Sequence, residues 1–337
     1  MEINKPQNAY YFKFDEGYFC KPWGNYALTK LLNKDIPTNE PIGEAWLISD
    51  RGEFQSTVVE GELKGKTLKN LVNSFPEFLF GTERKGTYPT AFPLLLKLID
   101  ANEVLSIQVH PSDEKAIKLG EKDLGKTEMW YILEAKPNSF IYMGLKKNVK
   151  REHILKEIQH QGDVEQLLNK VYVKPGEHYL IPPGMVHAIG PGILLAEIQQ
   201  NSNLTYRLYD WNRLDFDGQG RELHLKKAID SIEEQEAFVS AHKVEIHHAF
   251  GLEKYLCSSP YFVARYWSVD KESEIWNGYY TFHIILGLSE TCISIFDNNI
   301  KIKRGESLLI PALSCPDVII REGIFLDYYI PCDVNVP

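Results

Sequence analysis

Cysteine is scarce and unpatterned. The five residues Cys20, Cys257, Cys292, Cys315 and Cys332 are odd in number, widely spaced and free of any CxxC pair. That excludes a disulfide framework and a cysteine zinc site and leaves them as reduced core thiols. No apolar run approaches the roughly 20 residues of a membrane span, and the opening MEINKPQNAYYFKFDEG is polar and carries both signs of charge. A cytoplasmic protein with no membrane partner is expected. Basic excess is also missing: Lys and Arg number 37 against 46 Asp and Glu, a net charge of -9. Such a chain offers no face to nucleic acid, so an anionic ligand must be drawn by a local cluster of Lys and Arg. No Gly-rich phosphate loop precedes a helix, which excludes a fused nucleotide-binding domain.

What is present is a globular composition, 44% hydrophobic and 25% charged with 18 Tyr and 16 Phe, over 337 residues. That length suits two ordinary domains or one large fold with an insertion. FPLLLKLID, EMWYILEA, FIYMG, VYVKPG, HYLIPPG and GILLAEIQQ are short apolar, β-branched or aromatic runs between turn residues, and they predict a sandwich or barrel. Helical spacing is confined to a few places. Leu68, Leu71, Val72 and Phe75 follow a Thr67 N-cap. Two short helices are expected within residues 148–170, the second opened by a capping box of Asp163 and Gln166. A further helix fits ELHLKKAIDSIEEQ.

The chain also repeats itself. VKPGEHYLIPPGMVHAI matches IKRGESLLIPALSCPDV, pairing Gly176 with Gly305 and Pro182 with Pro311, and EMWYILEA resembles TFHIILGL in apolar pattern. Two related β-modules are expected, the first over residues 1–238 with a helical insert at about 148–170, the second over 239–337. In the second copy Gly184 and His187 have become Leu313 and Pro316, so only the first keeps chemistry.

That chemistry rests on four residues. Side chains two apart on a strand share a face, so Gln108 and His110 in LSIQVHP project together while Ile107 and Val109 face away. Glu128 opens another strand, and His187 follows a Pro-Pro-Gly turn. Two imidazoles, a carboxylate and an amide oxygen suit one zinc ion per chain with an open position for substrate. The set brings one negative charge, leaving about +1 on a bound zinc to stabilise an anionic oxygen. His242, His247 and His248 find no partner at ligand spacing and read as a solvated strand. Iron oxygenation and ligand binding without turnover are the competing uses of such a pocket; Gln108 in place of a third imidazole weighs against redox iron.

The spacing from Gly176 through Pro182 and Gly184 to His187 fits the second cupin motif. KPWG at residues 21–24, GEAWLIS, FPLLLKLIDA, LSIQVHPSD, GKTEMW and PPGMVHAIGPGILLAEIQQNSNLTYRLYDWNR together closely resemble the short bacterial form of type I mannose-6-phosphate isomerases. The resemblance covers most of residues 20–213. It implies a mainly β fold of two jelly-roll cupin modules with a small helical insert. It implies Gln108, His110, Glu128 and His187 as zinc ligands. Ser106, Lys97, Lys126, Arg207 and Glu44 are implied at the sugar-phosphate pocket, and Arg207, Glu197 and Lys126 as the catalytic groups. The reaction implied is interconversion of mannose 6-phosphate and fructose 6-phosphate through a cis-enediol, by a monomer or weak homodimer. Residue types alone leave two other readings open: Lys97 and Glu197 also suit a wet strand face, and Arg207 also suits a structural ion pair with Asp210. Trp23 reads as packing.

Overall fold

The computed structural model describes residues 6, 10–36, 39–82, 88–234, 244–276, 280–296 and 298–331. The chain is mainly β, in antiparallel sheets of the cupin type. In chain order the first elements are β1 (Gly17–Asn25), α1 (Ala27–Leu32), β2 (Ile42–Ile48), α2 (Leu68–Ser74), α3 (Pro76–Phe80), β3 (Leu94–Ala101), β4 (Ile107–Val109), α4 (Asp113–Lys118), β5 (Glu128–Ala135) and β6 (Phe140–Leu145). Next come α5 (Arg151–Gln159), β7 (Leu168–Tyr172), β8 (His178–Ile181), β9 (His187–Ile189), β10 (Ile193–Gln200), β11 (Tyr206–Tyr209) and α6 (Leu225–Ser231). The last are β12 (Val244–His248), β13 (Gly251–Ser258), β14 (Val263–Val269), β15 (Ser273–Glu274), β16 (His283–Gly287), β17 (Thr291–Ile295), β18 (Asn298–Ile302), β19 (Ser307–Ile310) and β20 (Val318–Tyr329).

Two compact units interleave along the chain, one of residues 1–17, 46–96 and 241–337, the other of 18–45 and 97–240. The junction expected between residues 238 and 239 lies outside the described residues. The unit of 18–45 and 97–240 carries two sheets, ordered β1-β2-β3-β10-β5-β8 and β11-β4-β9-β6-β7. Strand alternation sorts its side chains. Ile99, Trp130, Ile132 and Leu195 from the first sheet pack with Ile141, Met143 and Ile189 from the second in one buried core. The opposite face of the second sheet presents Ile107, Val109, Tyr142, Ala188, Tyr206 and Leu208, which pack with Ile154 of α5 and Ala228 of α6. Each fully buried Leu or Ile contributes about 1.5–3 kcal/mol, so both faces of this sheet are committed and its register is fixed.

Helix boundaries follow local chemistry. Thr67 caps α2, as its sequence predicts, and the structure adds a reciprocal capping box with Asn70. α5 and α6 occupy the segments where helices are expected. The second helix expected before residue 170 is instead a 3₁₀ turn, Val164–Leu167, and Asp163 makes no side-chain cap bond. Between Gly162 and β7 there is no room to propagate an α-helix past its costly first turn. The repeated turns share one geometry. Gly176 (φ 87°) and Gly305 (φ 81°) both adopt the left-handed region. Lys174 and Lys303 each donate a backbone N–H to the carboxylate three residues on, Glu177 at 2.7 Å and Glu306 at 2.9 Å. The strands that follow pair antiparallel with β5 and β16 respectively.

The other unit holds the sheet β12-β13-β14-β20-β16-β19, with β15 and the β17-β18 hairpin joined to β20. Strand β12 is largely exposed, as expected of the segment with His247 and His248. The core here gathers Trp267, Ile285, Ile293, Ile302, Leu308 and Phe325. At its polar centre Asp327, wholly buried, accepts from Arg265 Nε at 3.1 Å and Nη2 at 2.6 Å, from Trp276 Nε1 at 3.2 Å and from His283 Nδ1 at 2.7 Å. Although burial opposes ionisation, His283 and Arg265 hold the Asp327 carboxyl well below its ordinary value. A depressed folded pKa gives stability that is complete above the unfolded value of about 3.9 and is lost as pH falls through the folded one. Asp327→Asn leaves the Arg265 charge with Glu253 at 2.9 Å as its remaining carboxylate partner, and urea titration at neutral pH should show a loss of about 1–3 kcal/mol. The gap to the parent chain should narrow as pH drops below about 4.

Candidate active site

Strand register assembles one wall of the site. In the second sheet Gln108 pairs with His187 of β9 on one side and with Arg207 of β11 on the other. Residues directly opposite in antiparallel strands share a face. Arg207, Gln108 and His187 therefore form a row on the inner face, while Ile107, Val109, Tyr206 and Leu208 pack on the outer one. His110 lies just past the end of β4, and its carbonyl accepts the Gly184 N–H at 2.8 Å. Gly184 has φ 83°, and a Cβ there would meet the side chain of Glu233 at 2.6 Å, so the Pro-Pro-Gly turn that aims His187 needs glycine. The facing sheet supplies Glu128 at the start of β5, Glu197 on β10 and Lys97 on β3.

His110, Glu128 and His187 are fully buried, and one donor atom from each lies within 4.8 Å of the others. His110 Nδ1 donates to the Leu204 carbonyl at 2.7 Å and His187 Nδ1 to the Met185 carbonyl at 2.9 Å. With Nδ1 carrying the proton, both Nε2 lone pairs face Glu128, at 3.4 Å from Oε2 and Oε1 respectively. Burial, aided by the Lys126 ammonium, pushes His110 down to about 3. Burial lowers His187 likewise. The Lys126 ammonium at 2.8 Å holds the Glu128 carboxyl well below its ordinary value against the cost of burial. Both imidazoles are thus neutral and the carboxyl ionised near neutral pH, the states in which they ligate a metal.

The donor set fits a divalent ion. His110 Nε2 and Glu128 Oε1 are buried without a hydrogen bond, a deficit of about 1–3 kcal/mol per group that a cation would remove. Gln108 adds its amide: Nε2 lies 3.2 Å from His187 Nε2, and Oε1 accepts from Ser106 Oγ at 3.2 Å. Amide O and N exchange by a half-turn, so the same position can present oxygen. Two imidazoles, a carboxylate and an amide match a borderline-soft divalent metal.

Beyond the donors runs a chain of alternating charge. Lys126 Nζ lies 2.8 Å from Glu128 Oε2 and 3.9 Å from Glu197 Oε1. Lys97 lies 3.8 Å from Glu197 and 3.6 Å from Glu44, and Lys21 lies 3.4 Å from Glu44. Lys97 and Glu197 are 6% and 3% exposed, which rules out the wet strand face. Burial lowers the Lys97 pKa. Burial and then the Glu128 charge raise that of Glu197.

Arg207 donates through Nη1 to the Glu222 carbonyl at 2.8 Å, and its Nε is buried without a partner. Asp210, the other partner its sequence neighbourhood suggests, is taken by Arg213 at 2.7 Å and Arg221 at 2.6 Å. Trp23 packs in the core, as its sequence reading expects. Two participants escaped the sequence reading. Trp130 donates Nε1 to Glu197 Oε2 at 3.0 Å and sets its ring edge-on to His187 at 5.5 Å. Lys21 ends the charge chain. The Glu-x-Trp spacing of EMW, which puts Trp130 on the face of Glu128, was the signal available for the first; nothing in the sequence pairs Lys21 with Glu44.

Residues 11–137 match the family model for phosphomannose isomerase type I, catalytic domain. The mannose-6-phosphate isomerase of Streptococcus mutans is 34% identical over 86% of this chain and 89% of its own length. Mannose-6-phosphate isomerase ManA of Bacillus subtilis is 43% identical over 65% of this chain and 68% of its own. A crystal structure of the mannose 6-phosphate isomerase from Bacillus subtilis superposes with a TM-score of 0.87 at 33% identity, covering 95% of this chain and 99% of that one. With the buried His-Glu-His cluster and the two facing sheets that build it, these likenesses place the chain in the type I phosphomannose isomerase family, a family of enzymes.

Proposed function

We propose that the chain holds one zinc ion through Gln108, His110, Glu128 and His187 and interconverts mannose 6-phosphate and fructose 6-phosphate through a cis-enediol. The observation that carries this reading is the pair of unsatisfied buried donors, His110 Nε2 and Glu128 Oε1, beside a row that ends in Arg207. A metal bound there would supply Lewis-acid stabilisation of the negative charge that develops on the sugar oxygens at C1 and C2.

The protein groups divide the remaining work. Moving a proton between C2 and C1 needs a base, and Glu197 has the properties of one. It is buried, its basicity is raised by burial and by Glu128, and its Oε2 is fixed by Trp130. Lys126, between Glu128 and Glu197, adds positive charge where the enediolate forms. Arg207, with a guanidinium nitrogen not yet engaged, meets the phosphate or the intermediate. Ser106 orients the Gln108 amide, and Lys97 and Glu44 continue the polar wall towards the substrate. Local lysine and arginine thereby attract a dianionic sugar phosphate to a chain whose net charge is -9. In the same reading, residues 239–337 hold no metal chemistry.

Chelation should abolish isomerisation of mannose 6-phosphate, and zinc titrated back at fixed pH should restore it in the parent chain but not in His187→Ala. Metal analysis of the two proteins should show about one ion per chain and a large loss respectively. No turnover with any divalent metal would sink the isomerase assignment. Glu197→Gln should bind metal normally and lower kcat by about 10²-fold or more; a kcat within twofold of the parent would remove Glu197 as the base. For Arg207→Gln, a fall in kcat larger than the rise in KM is expected if the arginine acts on the intermediate. The reverse pattern in steady-state kinetics would assign it to phosphate binding.

A further inference from the structure

We propose that Asp210 is a positioning residue for Arg207, an assignment that rests on the reading of Arg207 as the contact to the anionic substrate. Three guanidinium groups converge near this carboxylate, and it engages only two of them. Asp210 Oδ1 accepts from Arg213 Nη2 at 2.7 Å and Arg221 Nη2 at 2.6 Å, and Oδ2 accepts from Arg221 Nε at 2.8 Å. Arg207 makes no ion pair with a carboxylate among the described residues. Asp210 thus engages the two arginines that do not pair across the sheet with Gln108.

Each of those arginines anchors a different segment against Arg207. Arg213 Nη1 donates to the Val104 carbonyl at 2.8 Å, and Trp211 Nε1 donates to the Leu105 carbonyl at 2.8 Å. The turn that ends β11 is thereby fastened to the backbone just ahead of Ser106 and β4, and this keeps Arg207 opposite Gln108. That turn contains two non-glycine residues in the left-handed region, Trp211 at φ 58° and Asn212 at φ 53°. Such a conformation persists only where surrounding bonds hold it. Arg221 fixes the second segment. The next residue, Glu222, gives its carbonyl to Arg207 Nη1, while His224 Nδ1 accepts the Arg207 N–H at 3.2 Å and the Arg207 carbonyl accepts the His224 N–H at 2.8 Å. Asp210 is the tie between the two segments. Removing its charge frees Arg221, lets the Glu222 carbonyl drift, and leaves Arg213 with only the partly exposed Glu103 at 3.8 Å, so two less neutralised guanidiniums compete with Arg207 for the anion.

The test is a double-mutant cycle on the metal-loaded full chain, with Asp210→Asn, Arg207→Gln and the combined variant assayed for kcat/KM on mannose 6-phosphate. Asp210→Asn should lower kcat/KM by about tenfold or more when Arg207 is present and by less than about twofold when it is absent, at unchanged metal content. Equal losses in both backgrounds would show a merely structural role and overturn the proposal. Arg207→Gln with unaltered kcat/KM would instead overturn the reading of Arg207 on which the proposal stands. Should Asp210→Asn fail to fold, Arg221→Gln cuts only the tether to Glu222 and enters the same cycle. Coupling to Arg207 is again expected, and additivity again overturns it.

Discussion

The ionised carboxyl of Glu128, wholly buried, is the constraint around which the unit of residues 18–45 and 97–240 is built. A carboxylate taken out of water costs several kcal/mol even after relaxation, and only close partners offset that. Lys126 at 2.8 Å is one such partner, and the two imidazole Nε2 atoms at 3.4 Å turn lone pairs rather than protons towards it. Two lone pairs and a carboxylate facing one another are a poor arrangement for an empty core and a good one for a cation. Lys126 cannot be added without its own compensation, which Glu197 provides, and Glu197 in turn requires Lys97, then Glu44, then Lys21. The chain reaches water at its outer end, where the side chains of Glu44 and Lys21 are 16% and 32% exposed. Counting every group as ionised, its three lysines and three glutamates cancel. The charge of a metal ion would then stand uncompensated, which gives an acidic protein a site attractive to anions.

Sheet register converts that electrostatic requirement into geometry. A strand has a side-chain period of two, so slipping β11 by one residue would bring Tyr206 or Leu208 to the position of Arg207 and send the arginine among the helices. Ile107, Val109, Tyr206 and Leu208 oppose such a slip because they pack with α5 and α6. The helices that cover the outer face therefore help to hold the chemistry on the inner one. The hydrogen bond from the Gly184 N–H to the His110 carbonyl joins the two imidazole-bearing segments directly, independently of any metal.

Much of this was legible in the sequence, because period-two alternation is a local property. LSIQVHP separates Gln108 and His110 from Ile107 and Val109 without reference to the rest of the fold, and PPG announces the turn before His187. The partner of Arg207 was not legible in the same way. Asp210, three residues on, is the obvious candidate along the chain, yet Arg221 reaches it from across a loop and Arg213 from within the turn. Competition among three guanidiniums for one acid is decided in space. Short helices were missed for a related reason. α4 has its Ser112 cap, acidic first turn and basic last turn, but it buries only Ala116, so no apolar stripe betrays it. The interleaving of the two units is likewise invisible to composition, since it depends on which strands pair.

The unit of residues 1–17, 46–96 and 241–337 supplies a control for the central inference. It too buries an acid and a histidine in a β framework and keeps the Gly305 turn that matches Gly176. There, however, both oxygens of Asp327 are engaged, by Arg265, Trp276 and His283. A buried polar network that is satisfied stiffens a core and asks for nothing more, whereas one left short of partners signals a missing ligand. Asp327 and His283 form the first kind of network; Glu128, His110 and His187 form the second. The presence of histidine and acid in a cupin-type framework therefore does not mark a reactive centre by itself. The deficit at His110 Nε2 and Glu128 Oε1 is what sets the Glu128 cluster apart from the satisfied Asp327 network.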